Sequence, residues 1–207
     1  MGYERRHIRM ALQCLASMLV ACVKTGAKYS DDYVTKLRNG VARHLHVKHD
    51  FVCFTDNRVD GVQCEPLTLP LPGWWAKLLL FSLGKPLIYF DLDTVITGDL
   101  QRLADWEGFG ILADPMGGLG SGIMKLTGNE GDVWEKFHPG VMQQMRGDQD
   151  WITKCMPGAP TFPKDWFPSF KFDNCVKGVP EGAMAINFHG LPKMHQITSG
   201  WVKEAWV

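Results

Sequence analysis

The chain has 207 residues, 45% of them hydrophobic, which suits one domain with a sizeable core and excludes disordered and fibrous classes. Its 22 Lys and Arg balance 22 Asp and Glu. No broad basic field exists to hold a nucleic-acid backbone or an anionic membrane, so any bound phosphate must be met locally. Eight Trp fit either a core or a sugar-sized cleft.

At the N-terminus, Arg5, Arg6 and Arg9 precede an apolar stretch from Met10 to Val23 of signal-peptide length, and Leu19-Val20-Ala21-Cys22 resembles a lipoprotein cleavage box. The competing reading makes Met18 to Val23 a buried strand running into a turn at Lys24-Thr25-Gly26. On that reading residues 1–17 are an extension of uncertain status, residues 18–207 form the domain, and Met10 or Met18 is an alternative start. No apolar run reaches the roughly 18 to 20 residues that span a bilayer. The six cysteines, Cys14, Cys22, Cys53, Cys64, Cys155 and Cys175, contain no C-x-x-C pair. They read as buried reduced thiols, which points to a cytoplasmic location.

Further along, Ser30 is placed to cap a helix whose first turn carries Asp31 and Asp32 and whose apolar stripe is Tyr33, Val34, Leu37, Val41 and Leu45. A short strand follows at Phe51 to Thr55. A Pro-rich link, Pro66 to Pro72, leads to a helix over about 73–83, stopped by Gly84 and Pro86. Strands are expected at Leu87 to Phe90, Gly110 to Ala113, Gly122 to Leu126 and Ala183 to Phe188. Helices are expected near Asp132 to Phe137 and Gln149 to Met156, with an irregular loop from Pro157 to Pro168. The alternation predicts an α/β fold with a mostly parallel central sheet flanked by helices, and ligands beyond the carboxyl ends of its strands.

Tyr89-Phe90-Asp91-Leu92-Asp93-Thr94-Val95 carries the most chemical information. Residues two apart on a strand share a face, so Asp91 and Asp93 can converge on one hard cation, Mg²⁺ or Mn²⁺. Two families own this local pattern. The haloacid-dehalogenase-like phosphatases match it with Asp91 as nucleophile and Asp93 as general acid, but they open their domain on this strand, whereas two strands and two helices precede it here.

The second family is supported by several segments in order: Val23-Lys24-Thr25-Gly26, Trp75-Ala76-Lys77-Leu78, Asp91-Leu92-Asp93, Gly120-Ser121-Gly122-Ile123-Met124, Gly147-Asp148-Gln149-Asp150 and Phe188-His189-Gly190-Leu191-Pro192-Lys193. Over nearly all its length beyond Met18 the chain resembles the GT-A glycosyltransferases of the group that includes glycogenin and the bacterial lipopolysaccharide galactosyltransferases. The resemblance implies a single Rossmann-like GT-A domain and a metal-dependent transferase. Such an enzyme takes a sugar from a nucleotide-sugar donor, a UDP-sugar, to an acceptor that is a glycan, a lipid-linked sugar or a protein.

It further implies that Asp91, Asp93 and His189 hold Mn²⁺ or Mg²⁺, with Gly190 letting the backbone approach a ligand closely. Lys193 would meet a diphosphate oxygen and Lys77 the donor. The turn through Val23, Lys24 and Thr25 resembles the nucleotide-base site beside Leu92, with Tyr29 either stacking on the base or packing the helix start. Ser121 and Gly122 would lie against the sugar. Asp148, Gln149 and Asp150 resemble the catalytic segment, whose central amide lies near the anomeric carbon; Asp148 also reads as a helix cap. Trp166 and Phe167, with Trp74 and Trp75, suit an acceptor platform or the core. A lipid-anchored carbohydrate-binding protein, cleaved before Cys22, is the non-enzymatic alternative.

Overall fold

The computed structural model describes residues 17–207. Arg5, Arg6, Arg9, Cys14 and almost all of the N-terminal extension lie outside the described residues.

The chain enters on strand β1 (Met18–Lys24), crosses through helix α1 (Asp31–His44) to β2 (His49–Thr55) and adds β3 (Gln63–Pro66) at the edge. A 3₁₀ helix (Gly73–Leu83) then leads to β4 (Leu87–Phe90) and β5 (Thr94–Ile96). After the single turn α2 (Gln101–Ala104) come β6 (Gly110–Ala113) and β7 (Leu119–Leu126). The second half contains α3 (Asp132–Glu135), α4 (Val141–Gln144), α5 (Asp148–Cys155), β8 (Ala185–Asn187) and α6 (Trp201–Ala205).

Six strands form the main sheet in the order β3-β2-β1-β4-β7-β6. β1 runs parallel to β2 and to β4, β2 runs parallel to β3, and β7 is antiparallel to both β4 and β6. The expected mostly parallel sheet is thus found, with an antiparallel flank. β5 and β8 pair separately as a small antiparallel ribbon.

The core lies on both faces of the sheet, because alternate strand residues point opposite ways. Val20 and Cys22 of β1, with Ile88 and Phe90 of β4, pack against Val34, Leu37 and Val41 of α1. Ala21, Leu87 and Tyr89 face the other way, onto Trp75, Leu78 and Phe81 of the 3₁₀ helix and Trp151 and Ile152 of α5. Burial on both faces explains the continuous apolar runs of β1 and β4; each fully buried large side chain contributes about 1.5–3 kcal/mol. α1 carries Asp31 and Asp32 in its first turn and Arg43 and His44 in its last, matching its dipole. Ser30 is at its N-cap but makes no side-chain capping bond.

Several expectations are corrected. The segment 73–83 is helical, but 3₁₀ throughout. β3, β5, α2, α4 and α6 had no clear periodic signal, being five residues or fewer. The loop expected at 157–168 contains a 3₁₀ turn, Lys164–Trp166. Leu19-Val20-Ala21-Cys22 lies inside β1, paired on both sides with Cys22 fully buried. Cleavage before Cys22 would remove most of the strand at the centre of the sheet, so a chain cleaved there could not keep this sheet.

β1 and β4 sit side by side, yet the chain continues from β1 outward to β2 and β3, and from β4 outward to β7 and β6. The reversal opens a crevice beyond their carboxyl ends, at Lys24 and at Asp91.

Candidate active site

Two adjoining cavities occupy that crevice. The smaller, about 250 Å³, is walled by Val23, Thr25 and Tyr29 after β1, and by Tyr89, Leu92 and Asp93 at the end of β4. The larger, about 500 Å³, is walled by Ser121 and Gly122 of β7, Asp148, Gln149 and Asp150 of α5, Asn187 at the end of β8 and His189 just after it. Trp74, Lys77 and Asp91 line both. On a 3₁₀ helix residues three apart eclipse one another, so the 3₁₀ form of 73–83 places Trp74 and Lys77 on one edge, at the boundary between the cavities.

The boundary is a buried charge cluster. Lys77 Nζ donates to Asp91 Oδ1 at 2.7 Å and to Ser121 Oγ at 3.2 Å, and lies 3.6 Å from Asp148 Oδ2. Ser121 Oγ donates to Asp148 Oδ2 at 2.5 Å, and Tyr89 Oη donates to Asp91 Oδ1 at 2.5 Å. Burial works to lower the Lys77 pKa, but Asp148 and then Asp91 outweigh it and hold the ammonium above its ordinary value. Burial raises the Asp91 carboxyl; Lys77 opposes this and Asp93 reinforces it. Burial, with Asp91 second, pushes the Tyr89 phenol well up. Asp91 keeps 32% of its side chain accessible despite these walls, because it fronts both cavities.

Asp93 is bonded differently. Tyr29 Oη donates to its Oδ2 at 3.0 Å, and Lys193 Nζ is ion-paired with the same oxygen while also donating to the Phe188 carbonyl at 2.6 Å. Tyr29 also packs 4.8 Å from the Tyr33 ring, so it both lines the cavity and secures the start of α1. Burial, with Asp93 second, raises the Tyr29 phenol.

A cation at the acidic pair would need free carboxylate oxygens. Lys77 and Tyr89 both use Oδ1 of Asp91, and Tyr29 and Lys193 both use Oδ2 of Asp93. Among the described residues, Asp91 Oδ2 and Asp93 Oδ1 receive no hydrogen bond, and a Cβ on Gly122 would lie 3.5 Å from Asp91 Oδ2. Two free hard oxygens fit Mn²⁺ or Mg²⁺. The expected third ligand is not gathered with them: no three His, Cys, Asp or Glu side chains among the described residues converge on one point. His189 instead sits exposed on the wall of the larger cavity, near Phe172.

Other expected site residues are placed as follows. Lys24 turns from the cleft to pair with Asp31 at 3.2 Å. Gly190 and Lys193 line neither cavity, and Lys193 reaches the site through Asp93 and over the Tyr29 ring. Asp148 is not a cap: Gly147 is the N-cap of α5, and the Asp148 carboxylate points inward to Ser121 and Lys77. Asp150 is held by Arg146 across one turn, at 2.9 and 3.0 Å, and that hydrogen-bonded pair lowers its pKa. Gln149 Nε2 donates to Asp114 Oδ2 at 2.8 Å. Of the aromatic residues, Trp74 is 54% exposed in the cleft and Phe167 is buried on its wall. Trp75 belongs to the core, and Trp166 packs among Trp106, Phe162 and Phe167.

Asp114, Asn187 and Phe172 were not anticipated. Asn187 had a signal, a polar residue inside an apolar strand; Asp114 and Phe172 are in loops whose sequence gives no such cue.

The chain matches no protein-family model and no curated protein. Solved structures do resemble it. The glycosyltransferase GlyE of Streptococcus pneumoniae TIGR4 superposes with a TM-score of 0.66 at 14% identity, covering 92% of this chain and 60% of that one. The galactosyltransferase LgtC, solved with donor and acceptor sugar analogs, gives 0.62 at 12%, covering 86% and 89%. Mouse xyloside xylosyltransferase 1 gives 0.53 at 13%, covering 86% and 100%. The chain therefore spans less than two thirds of GlyE and nearly the whole of the other two. At these identities the likeness establishes architecture, and the chain has the GT-A fold found in these glycosyltransferases.

Proposed function

We propose that the chain is a glycosyltransferase that moves a sugar from a nucleotide-sugar donor, a UDP-sugar, to an acceptor. The observation that carries this is the pair of adjoining cavities at the β1 and β4 carboxyl ends, parted by Lys77 and Asp91, on a fold shared with solved glycosyltransferases. The smaller cavity has the apolar wall and aromatic edge of a base site; the larger has the polar floor that sugar hydroxyls require.

In this reading Val23, Thr25 and Tyr29 bind the base and ribose, while Ser121, Gly122 and Asp148 lie along the sugar. Gln149 and Asp150 border its reacting face, where a carbonyl or carboxylate oxygen stabilises developing positive charge. Lys77 fixes Asp91 and Asp148 relative to each other, and Lys193 is within reach of a diphosphate once released from Asp93. Asp91 and Asp93 would hold Mn²⁺ or Mg²⁺, with His189 completing the set, and the ion would neutralise charge on the departing diphosphate. No helix among the described residues is long and apolar enough to cross a membrane. The five described cysteines are all free, which supports a cytoplasmic site of action.

The test is release of UDP from a panel of UDP-sugars with and without Mn²⁺. Turnover of one donor, lost on Asp93→Asn and on His189→Ala, is expected. Hydrolysis of p-nitrophenyl phosphate without turnover of any nucleotide sugar would sink the reading.

A further inference from the structure

Gln149 lies on the cavity wall with its amide polarity dictated by its neighbour. Its Nε2 donates to Asp114 Oδ2 at 2.8 Å, and the other Asp114 oxygen accepts the backbone N–H of Met116 at 2.7 Å. An ionised carboxylate only accepts hydrogen bonds, so the Gln149 amide must present nitrogen to Asp114. Its carbonyl oxygen is thereby left over, and among the described residues nothing donates to it.

Both residues line the larger cavity. Asp114 is anchored to its own turn: Gly117 N donates to the Asp114 carbonyl at 2.9 Å and Asp114 N to the Gly118 carbonyl at 3.0 Å. Gln149 is in the first turn of α5, with its own carbonyl taken by Thr153 Oγ1 at 2.8 Å. The backbone at both ends is fixed, and the amide has two orientations to choose from.

We propose that Asp114 is a positioning residue that holds the Gln149 carbonyl oxygen toward the sugar, so that an acceptor of hydrogen bonds and of positive charge faces the reacting carbon. This rests on the transferase reading above.

The isosteric Asp114→Asn makes a specific demand. Asn has one oxygen where Asp has two, and the Met116 N–H cannot turn away, so the Asn oxygen stays on Met116. The Asn amide nitrogen then faces Gln149, whose amide must flip and put its NH₂ into the cavity. The shape is unchanged and the polarity is inverted. Adding Gln149→Glu restores an oxygen to both sides, since a carboxylate accepts from the amide introduced at position 114 with one oxygen and offers the other to the cavity.

The experiment measures hydrolysis of the UDP-sugar that the wild-type chain turns over, with UDP affinity by calorimetry and thermal unfolding as controls on fold. Asp114→Asn is expected to lower kcat about 100-fold, in the range seen when one preorganised group is lost, with UDP affinity and unfolding unchanged. The double variant Asp114→Asn/Gln149→Glu is expected to recover most of the loss. A D114N protein as active as wild type would overturn the proposal and leave the transferase reading standing. So would a double variant no better than D114N, since Asp114 would then act by itself and not through Gln149. Should the wild-type chain turn over no nucleotide sugar, the transferase reading falls first and this proposal falls with it.

Discussion

Lys77 places its ammonium 2.7 Å from the carboxylate of Asp91, although its side chain is only 5% exposed. Asp148, equally buried, is 3.6 Å away. One cation therefore compensates two carboxylates contributed by β4 and α5. Removing one partner of a buried ion pair leaves uncompensated charge and costs about 3–5 kcal/mol. Lys77→Met is expected to lower stability by about that amount in urea unfolding. Arg is no substitute, because its planar fork does not fit a space shaped to a point charge.

The same cluster sets an alkaline limit. Lys77 and Tyr89 both hold their protons above their ordinary values of 10.5 and 10.0. The folded chain then binds more protons than the unfolded chain above about pH 10, so stability is fully present below that pH and falls as pH rises through it. Urea titrations from about pH 9 to about pH 11 should show the fall, and Tyr89→Phe should make it shallower. A flat profile would show that neither group is held as described.

If Asp93 holds a divalent cation as proposed, Lys193 would compete with that ion for its carboxylate. The lysine occupies Oδ2 of that carboxylate together with Tyr29. Lys193→Ala is expected to bind Mn²⁺ alone more tightly, by roughly tenfold (about 1.4 kcal/mol), and UDP more weakly. Electron paramagnetic resonance of free Mn²⁺ measures the first effect and calorimetry with UDP the second.

Gly110 of β6 has no room for a methyl group. A Cβ there would run into the Phe162 ring and lie 2.7 Å from Trp106 Nε1, whose N–H donates to the Phe109 carbonyl. Gly110→Ala is expected to cost about 1–3 kcal/mol by overpacking. Because Phe162 lines the larger cavity, weaker binding of the proposed donor should accompany the lower unfolding temperature.

Thiol labelling should sort the cysteines by depth. Cys64 and Cys155 are half-buried, whereas Cys22, Cys53 and Cys175 are buried. Among the five described cysteines, brief treatment of the native chain with maleimide, followed by peptide mapping, should show Cys64 and Cys155 modified, and the other three only after denaturation. Rapid labelling of Cys22 in the native chain would contradict its place in the central strand.

What the amino-acid order reveals follows from which interactions are local. β1, β4 and α1 declare themselves through apolar runs and a helical stripe, and Asp91 and Asp93 through their position where a strand ends. Gln149 stands out through the polar triplet Asp148-Gln149-Asp150, which resembles the glycosyltransferase pattern, and it lines the larger cavity. Its partner Asp114 has no such cue, since the two are 35 residues apart and meet only once β7 and α5 pack together. Tertiary pairing likewise turned Lys24 away from the cleft toward Asp31, and turned Asp148 from a helix cap into a buried partner of Ser121 and Lys77. The 3₁₀ winding of 73–83 leaves no mark in a sequence that is apolar almost all round.

Trp74, Lys77 and Asp91 belong to both cavities at once, and this sharing acts as a threshold. A molecule long enough to fill both rooms must lay its middle across these three side chains, whatever its two ends are. For a sugar nucleotide the middle is the diphosphate and the bond to the sugar. On the proposed reading the diphosphate and the bond to the sugar would lie across Trp74, Lys77 and Asp91, and a fragment that fills only one room would never span that threshold.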